Sequence, residues 1–306
     1  MRRALLIAAM AALALGAGCT GNLPVPQIVL TPRVLIIVAD QPEAHPGDDV
    51  ELRVLAYDPM GRPLTYRWRA CLSLGAILSQ NDVDTGLPDE ACFDLASTGD
   101  TAIVPGEQTQ QIVDGIAGAP LPDETRAFVN ALLSLTGLGF EVQVDVLGPG
   151  DVVLTTAYKT VGITTRDTLT TNPPPIDYRF GDTYVSMPRE GFTGSGFDCV
   201  IWGQPIVLPP ETQIEIVPQG DEEPAWLESY PVLGYDGRFT MGMEGAYYSF
   251  HATGGTLEAE TTNPPLQNLY YTTPEEPGPV RFWLEVRDGH LGARACTFEL
   301  TVAPAG

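Results

Sequence analysis

The chain has 306 residues, of which 44% are hydrophobic, so it can bury a sizeable core and wholesale disorder is excluded. Acidic residues number 39 against 16 basic ones, and the resulting net charge of −23 excludes nucleic-acid binding through the overall field. The 32 glycines and 28 prolines are scattered without a period, which favours short strands joined by turns over a helical bundle. We therefore expect a mainly β protein.

The N-terminus carries the most specific signal in the chain. Arg2 and Arg3 precede an unbroken run of small and apolar residues that ends at Ala17. This run is shorter than the roughly 20 residues of a membrane-spanning helix and is typical of a secretion signal. Its end, Leu15-Gly16-Ala17-Gly18-Cys19, resembles a bacterial lipobox, in which the cysteine is diacylated and becomes the new N-terminus.

This resemblance implies a signal peptide over residues 1–18, palmitate or a related acyl chain on Cys19, and attachment to a lipid bilayer through that lipid. Thr20 follows the cysteine, and the sorting rule for lipoproteins then favours the outer membrane over the inner one. Cleavage near Ala17, with Cys19 left as a free thiol, is the alternative. Residues 19–33 are interpreted as a tether.

Four further cysteines, Cys71, Cys92, Cys199 and Cys296, remain for the folded part of the chain. An even number in an exported chain predicts two disulfides, and four cysteines allow three pairings. A domain boundary at the proline-rich residues 169–176 leaves two cysteines in each half and so favours Cys71–Cys92 and Cys199–Cys296. Zinc is disfavoured, because the four show no Cys-x-x-Cys spacing and no adjacent histidine.

The first half shows the periodicity of antiparallel strands. Residues 34–39 form a continuous apolar run, residues 50–57 alternate between apolar and polar side chains, and residues 64–69 place Leu64, Tyr66 and Trp68 on one face. Pro-Gly and Asp-Pro turns separate these segments. Strands with one polar face are typical of a sandwich.

These segments share a motif that resembles the opening half of a PKD-type or cadherin-like immunoglobulin domain. It also resembles the immunoglobulin-like repeats of uncharacterised lipoproteins from GC-rich Gram-negative bacteria. The resemblance implies a β-sandwich with Trp68 in its core, and it implies no enzymatic activity. The residues that carry it read Pro46-Gly47-x-x-Val50…Ala56-x-Asp58-Pro59-x-Gly61-x-x-Leu64-x-Tyr66-x-Trp68.

Residues 70–137 exceed a compact immunoglobulin domain and are interpreted as an insertion of loops and one helix. The helix is predicted to begin at Asp123 and to end at Gly137. It has no basic face, so we do not expect it to bind a membrane. Its predicted packing stripe consists of Phe128, Leu132 and Leu135, flanked by Val129 and Leu133.

Strands over residues 140–146 and 151–163 close the first sandwich, and the proline-rich residues 169–176 are interpreted as a linker. We therefore predict two immunoglobulin-like β-sandwich domains in tandem, over residues 34–168 and 177–306. In the second domain, residues 247–255, 280–286 and 296–302 have strand periodicity.

Catalytic and metal-binding patterns are weak. His45, His251 and His290 have no neighbouring residues at the spacing of a zinc or nucleophile site, and we expect them at the surface or in turns. The turn that begins with Asp58 could offer oxygen ligands to calcium, but Arg62 there has the wrong sign for a cation site. We therefore expect neither catalysis nor a cofactor.

The sequence thus predicts a lipid-anchored envelope module that binds or scaffolds, with an unknown envelope protein or polysaccharide as its partner. The alternative is an envelope hydrolase or a sugar-binding adhesin that uses residues 70–137. Sugar binding would need exposed aromatic residues on one face, and the candidates are Trp283, Tyr270 and Tyr271.

Overall fold

The structure, a computed structural model, describes residues 27–72, 91–118, 122–189, 197–220, 224–234 and 238–304. The predicted signal peptide and Cys19 lie outside the described residues. Within them, no helix is long and apolar enough to cross a membrane.

The first half of the chain forms strands and two helices. They are β1 (Arg33–Ala39), β2 (Glu43–Ala44), β3 (Val50–Tyr57), β4 (Thr65–Leu72), β5 (Ala91–Asp94), β6 (Ala96–Thr98), β7 (Thr101–Val104), α1 (Gly106–Gly118), α2 (Asp123–Leu135), β8 (Leu138–Gly148) and β9 (Val152–Ile163).

The second half is formed by strands. They are β10 (Asp177–Phe180), β11 (Thr183–Ser186), β12 (Val200–Trp202), β13 (Val207–Leu208), β14 (Gln213–Gln219), β15 (Ser229–Leu233), β16 (Phe239–Met243), β17 (Tyr247–Ala252), β18 (Thr256–Leu257), β19 (Thr261–Thr262), β20 (Leu269–Thr272), β21 (Gly278–Arg287) and β22 (Ala293–Val302).

The first sandwich consists of two sheets, with strand orders β1-β3-β7-β6 and β2-β9-β8-β4-β5. β3 alternates as predicted, so Val50, Leu52 and Val54 point into the core between the sheets. Trp68 of β4 is fully buried in the same core. The mainly β sandwich that the sequence predicts is therefore confirmed for this half.

The segment 70–137 contains more regular structure than predicted. β5 pairs with β4, and β7 pairs with both β3 and β6, so this segment supplies one strand to one sheet and two to the other. Helix α2 lies where the sequence predicts it and buries Val129, Leu132 and Leu133, whereas Leu135 at its end is exposed. Helix α1 was not predicted, because its sequence is polar and contains glycines at both ends and in the last turns.

The second sandwich also has two sheets, a six-stranded one (β12-β11-β10-β14-β20-β18) and a five-stranded one (β13-β22-β21-β17-β19). As predicted, alternate residues of β21 and β22 face the core. The core is rich in aromatic rings packed edge to face, such as Phe180 and Phe282 with centroids 5.6 Å apart. The inward residues of these two strands are Val280, Phe282, Leu284, Val286, Cys296, Phe298, Leu300 and Val302.

Both predicted disulfides are present. Cys71 and Cys92 are directly opposite each other on β4 and β5. Cys199 and Cys296 cross-link residues that are 97 apart in sequence, within the second sandwich.

Strands β15 and β16 pair only with each other among the described strands and form a two-stranded ribbon. Although the ribbon belongs to the second half of the chain, Leu233 and Phe239 pack against the core of the first sandwich. The ribbon therefore connects the two halves a second time, independently of the predicted linker.

The first described residues pair with a strand of the second sandwich. Ile28 forms an isolated parallel bridge with Ala252 of β17. The N–H of Val29 donates to the Ala252 carbonyl at 2.9 Å, and the Ala252 N–H donates to the Gln27 carbonyl at 2.9 Å. The predicted tether over residues 19–33 is thus partly ordered on a sheet, which shortens the segment between Cys19 and the folded body.

Candidate functional site

The two sandwiches meet along a seam, defined here as β1 together with the outer faces of β17, β21 and β22. Ile37 and Ala39 of β1 point into the first core. Ile36 and Val38 point the opposite way and pack on Ala293 and Ala295 of β22. A strand that is buried on both faces has a continuous apolar sequence, which is the pattern of residues 34–39.

Trp283 lies in this seam and is 1% exposed. It packs against Val29 and Leu35, and its ring centroid is 4.8 Å from that of Tyr57. The prediction that Trp283 is an exposed aromatic is wrong, because the first sandwich covers the outer face of the strand that carries it.

Tyr271 is also buried, inside the second core, where its ring packs edge-on against Phe282 at 4.6 Å. Its hydroxyl donates to the Gly254 carbonyl at 3.1 Å, and burial raises the pKa of the phenol. The prediction of an exposed Tyr271 is therefore wrong. Neighbouring residues of a strand face opposite sides, so Tyr270 points outward and is 45% exposed.

His251 lies in the seam rather than at the surface and is 4% exposed. Its Nε2 is 3.5 Å from Glu285 Oε1, and its Nδ1 is 4.0 Å from Glu260 Oε1. Arg287 Nη2 donates to Glu285 Oε2 at 2.9 Å. A histidine and carboxylates do converge here, but a general base must reach a substrate, and the covering sandwich closes His251 off from solvent. All four of these residues belong to the second sandwich, so the arrangement is a contact within that sandwich.

A second polar cluster holds the predicted linker in place. Glu43 of β2 is buried and accepts a hydrogen bond from Arg166 Nη2, and the N–H of Thr170 donates to the same carboxylate oxygen at 2.8 Å. Asn172 Nδ2 donates to the Ala39 carbonyl at 2.8 Å, and its Oδ1 accepts from the Ala293 N–H at 3.0 Å. The linker is therefore bonded to both sandwiches.

Ionisable side chains with shifted pKa values lie around this cluster. Burial raises the pKa of Glu244 to about 7, helped by the carboxylates of Asp288, Glu228 and Glu43. Burial lowers the pKa of Lys159 to about 8, although Asp288 acts in the opposite direction. Lys159 Nζ donates to the Leu291 carbonyl and so crosses the seam.

These shifts predict a pH-dependent stability that Glu244→Gln should remove. Because the folded state binds the Glu244 proton more tightly than the unfolded chain, the free energy of unfolding falls as pH rises from 4.5 to about 7. At about 1.4 kcal/mol per pKa unit, the loss is at most about 3.5 kcal/mol. Urea unfolding at pH 5 and pH 8 should show E244Q equal to wild type at pH 5 and more stable at pH 8.

Glu141→Gln, at an exposed position of β8, is the matched control. An E244Q difference of the same size at both pH values would contradict the assignment.

An open cleft of 470 Å³ lies between the linker and the ribbon. Arg166 and Glu228 line it, and both are engaged: Arg166 binds Glu43, and Glu228 Oε1 accepts from Thr171 Oγ1 at 2.7 Å. Both side chains have a structural role in this cleft, since each already has a hydrogen-bond partner within the protein.

The two other histidines and the candidate calcium turn are engaged in local contacts. His45 Nε2 donates to the Arg166 carbonyl at 2.8 Å, and the ring of His290 stacks on Tyr230 with centroids 3.7 Å apart. Arg62 Nε donates to Asp58 Oδ2 at 2.5 Å, and this bond lowers the pKa of the Asp58 carboxyl. The described residues contain no group of three or more His, Cys, Asp or Glu that could hold a metal ion.

Sequence reasoning missed two exposed aromatic residues that join Tyr270 on the outer face of the six-stranded sheet. Trp202 of β12 is 58% exposed and Tyr184 of β11 is 45% exposed. They are cross-strand partners, with Arg179 of β10 opposite Tyr184 on the other side. The signal was present, since both residues alternate with inward-facing Val185 and Ile201, but strands of three or four residues are too short for periodicity to be decisive.

No protein-family model matches the chain, and no curated protein matches it. Solved structures that match the chain include the D0–D1 domain of intimin, which is 10% identical, with 88% of this chain and 98% of that chain covered and a TM-score of 0.21. The fibronectin(III)-like modules of CbhA from Clostridium thermocellum are 8% identical, with 90% and 95% covered and a TM-score of 0.22. The Ig1–2 module of the Drosophila receptor protein tyrosine phosphatase DLAR is 9% identical, with 90% and 100% covered and a TM-score of 0.22. The description of this chain as tandem immunoglobulin-like sandwiches rests on its own strands.

Proposed function

We propose that the protein is a lipid-anchored component of a bacterial cell envelope, in which the two immunoglobulin-like sandwiches form one stiff, non-catalytic binding module. The anchor is the lipid on Cys19, and the outer membrane is the proposed location. The binding partner is an envelope protein or polysaccharide. The observation that carries the proposal is the seam.

The seam supports a stiff module because it combines apolar packing with specific hydrogen bonds. Trp283, Ile36 and Val38 are buried between the sandwiches. Asn172 and Lys159 add hydrogen bonds that cross from one sandwich to the other. Domains joined through a hydrophobic interface do not move independently, whereas a polar contact of small area permits motion. Such a unit can hold a binding surface at a fixed orientation to its anchor.

The seam also argues against the alternative of a hydrolase. The histidine with the most carboxylate neighbours, His251, is enclosed by the very contact that joins the domains. A histidine that is enclosed in this way cannot act on a substrate in solution.

Replacement of Cys19 by serine tests the anchor. Because acylation requires the thiol and the described residues contain no spanning helix, we expect Cys19→Ser to move the protein from the membrane fraction to the soluble periplasmic fraction. Labelled palmitate should be incorporated by wild type and not by C19S. Thr20→Ala, which leaves the cysteine in place, should remain in the membrane fraction, and Thr20→Asp should shift the protein from the outer to the inner membrane. Recovery of unlabelled wild type in the soluble fraction would refute the lipid anchor.

A further inference from the structure

We infer that the outer face of the six-stranded sheet binds an uncharged polysaccharide, whose sugar rings stack on Trp202, Tyr184 and Tyr270. We call these three residues, with Arg179 and Glu215 between them, the aromatic row. The inference deepens the proposed function and depends on it only in treating the protein as a binding module.

The strand register brings the aromatic row together. Trp202 is opposite Tyr184, and Tyr184 is opposite Arg179. On the adjoining strands, Glu215 is opposite Tyr270. Arg179 Nη2 donates to Glu215 Oε2 at 2.8 Å, which links the two parts of the row across β10 and β14. Five neighbouring strands therefore contribute one side chain each to a single face.

Three exposed rings lie on one sheet face in the aromatic row. Tyr158 and Tyr247 are exposed elsewhere, at 58% and 43%, whereas Trp68, Trp283, Tyr178 and Phe282 are almost completely buried in the cores or the seam. Trp202 and Tyr184 present well over a third of their surface to solvent, and Val200 beside them is 49% exposed. A contiguous exposed apolar patch with polar groups at its edge is typical of a binding surface.

The chemistry of the row matches sugar rings. The apolar C–H faces of a pyranose pack on aromatic faces, while its equatorial hydroxyls need donors and acceptors at the edge of the ring. Arg179 and Glu215 supply both, and Asn268 Nδ2 donates to Glu215 Oε1 at 3.2 Å, so the polar groups hold one another in position. Trp202 is also oriented before any ligand arrives, because its Nε1 donates to Ser186 Oγ at 2.6 Å.

The shape of the face indicates a polymer. The row crosses from β12 to β20, and four steps between strands at 4.7–4.9 Å each give a length of about 19 Å. Small ligands are usually bound in concave pockets that enclose them, whereas an exposed sheet face offers stacking positions in sequence. A chain of several sugar rings can occupy all three aromatic positions at once, and a single sugar cannot.

The charge of the face indicates that the polymer is uncharged. The guanidinium of Arg179 is paired with Glu215, and further carboxylates come from Asp177 of the same strand and from Glu258 beside Tyr270. The net charge of the chain is −23. An anionic polysaccharide would be repelled by this surface, and its binding would need a basic patch that the described residues of this face do not supply.

The test uses the full mature chain made soluble by Cys19→Ser, so that anchoring does not affect the result. The probes are three uncharged polymers, insoluble chitin, insoluble cellulose and insoluble β-1,3-glucan, and the bound fraction is measured by depletion from solution. We expect wild-type binding to at least one probe, unchanged in 0.5 M NaCl. Trp202→Ala and Tyr184→Ala should each weaken that binding by about ten-fold or more, since buried aromatic contacts dominate such interfaces.

Two further variants separate stacking from folding. Trp202→Phe keeps an aromatic ring without the N–H and should retain binding within about three-fold, whereas Trp202→Ala should not. Tyr158→Ala removes a tyrosine of β9 that is 58% exposed on the first sandwich and should leave binding unchanged. Thermal unfolding of each variant identifies any general loss of structure.

Several results would overturn the inference. These are the absence of wild-type binding to all three probes, loss of binding in salt, or equal loss in Y158A and Y184A. A wild-type dimer that Y184A converts to a monomer would instead assign the face to a second copy of the chain. If sugar binding fails while C19S still releases the protein from membranes, the inference is wrong and the lipid-anchored module stands.

Discussion

Replacement of Arg166 by alanine should lower the free energy of unfolding by about 3–5 kcal/mol. The Glu43 carboxylate is buried and accepts hydrogen bonds from Arg166 and from the N–H of Thr170, while its other oxygen has no hydrogen-bond partner. Without the guanidinium, the buried Glu43 carboxylate keeps only one backbone hydrogen-bond donor. The free energy of unfolding falls because that buried charge has lost its charged partner. Urea unfolding at pH 7 measures the effect.

An exposed pair of the same chemical type provides the control. Arg69 Nε is 3.9 Å from Asp94 Oδ1, and both side chains are largely in solvent, so Arg69→Ala should cost less than about 1 kcal/mol. The double variant Arg166→Met, Glu43→Gln removes both charges and should recover most of the stability lost in R166A. If R166A costs no more than R69A, the Glu43–Arg166 pair does not hold the linker, and the stiffness of the seam must come from its apolar part.

Loss of the Cys199–Cys296 disulfide should be the most damaging covalent change. The two cysteines are 97 residues apart, and in the chain-entropy relation a loop of that length stabilises the folded state by about 4.7 kcal/mol. Cys296 is also fully buried, so the double variant Cys199→Ala, Cys296→Ala leaves a small void in the second core. Urea unfolding under non-reducing conditions, compared with wild type, measures the loss.

The Cys71–Cys92 disulfide is the matched comparison within the same chain. Its separation of 21 residues corresponds to about 3.3 kcal/mol by the same relation, so Cys71→Ala, Cys92→Ala should be the milder double variant. A larger loss in that variant than in the Cys199–Cys296 variant would show that packing around β4 and β5, and not loop closure, sets the order.

Local periodicity was sufficient for much of the fold. β3 alternates over Val50–Val54, so its core-facing residues and the burial of Trp68 could be predicted from the sequence. The disulfides followed from placing two cysteines in each half. Helix α1 could not be predicted in this way, because only Ile116 and two small residues, Gly106 and Thr109, are buried, and tertiary contacts with the first core hold it.

The binding surface was predicted less well, because it depends on which faces the tertiary structure covers. Alternation along β21 correctly places Trp283 on the outer face of its sheet, but sequence alone does not show that another sandwich covers that face. The same contact buries His251, which alternation had placed outside. The one clear sign of this contact was the unbroken apolar run of β1, since a strand with a solvent face would have alternated.

The pairing of residues 27–29 with β17 limits where the protein can work. If the lipid is on Cys19, seven residues separate it from Gln27, and the eight fully extended residue-to-residue steps between them span at most about 27 Å. Both sandwiches are fixed to this point through the seam, so neither can extend away from the bilayer on its own. A ligand in the layer next to the membrane would meet the aromatic row at a high effective concentration, whereas a ligand farther away would be out of reach. In a protein anchored at Cys19, this short connection would select partners by their distance from the membrane before any side chain contacts them.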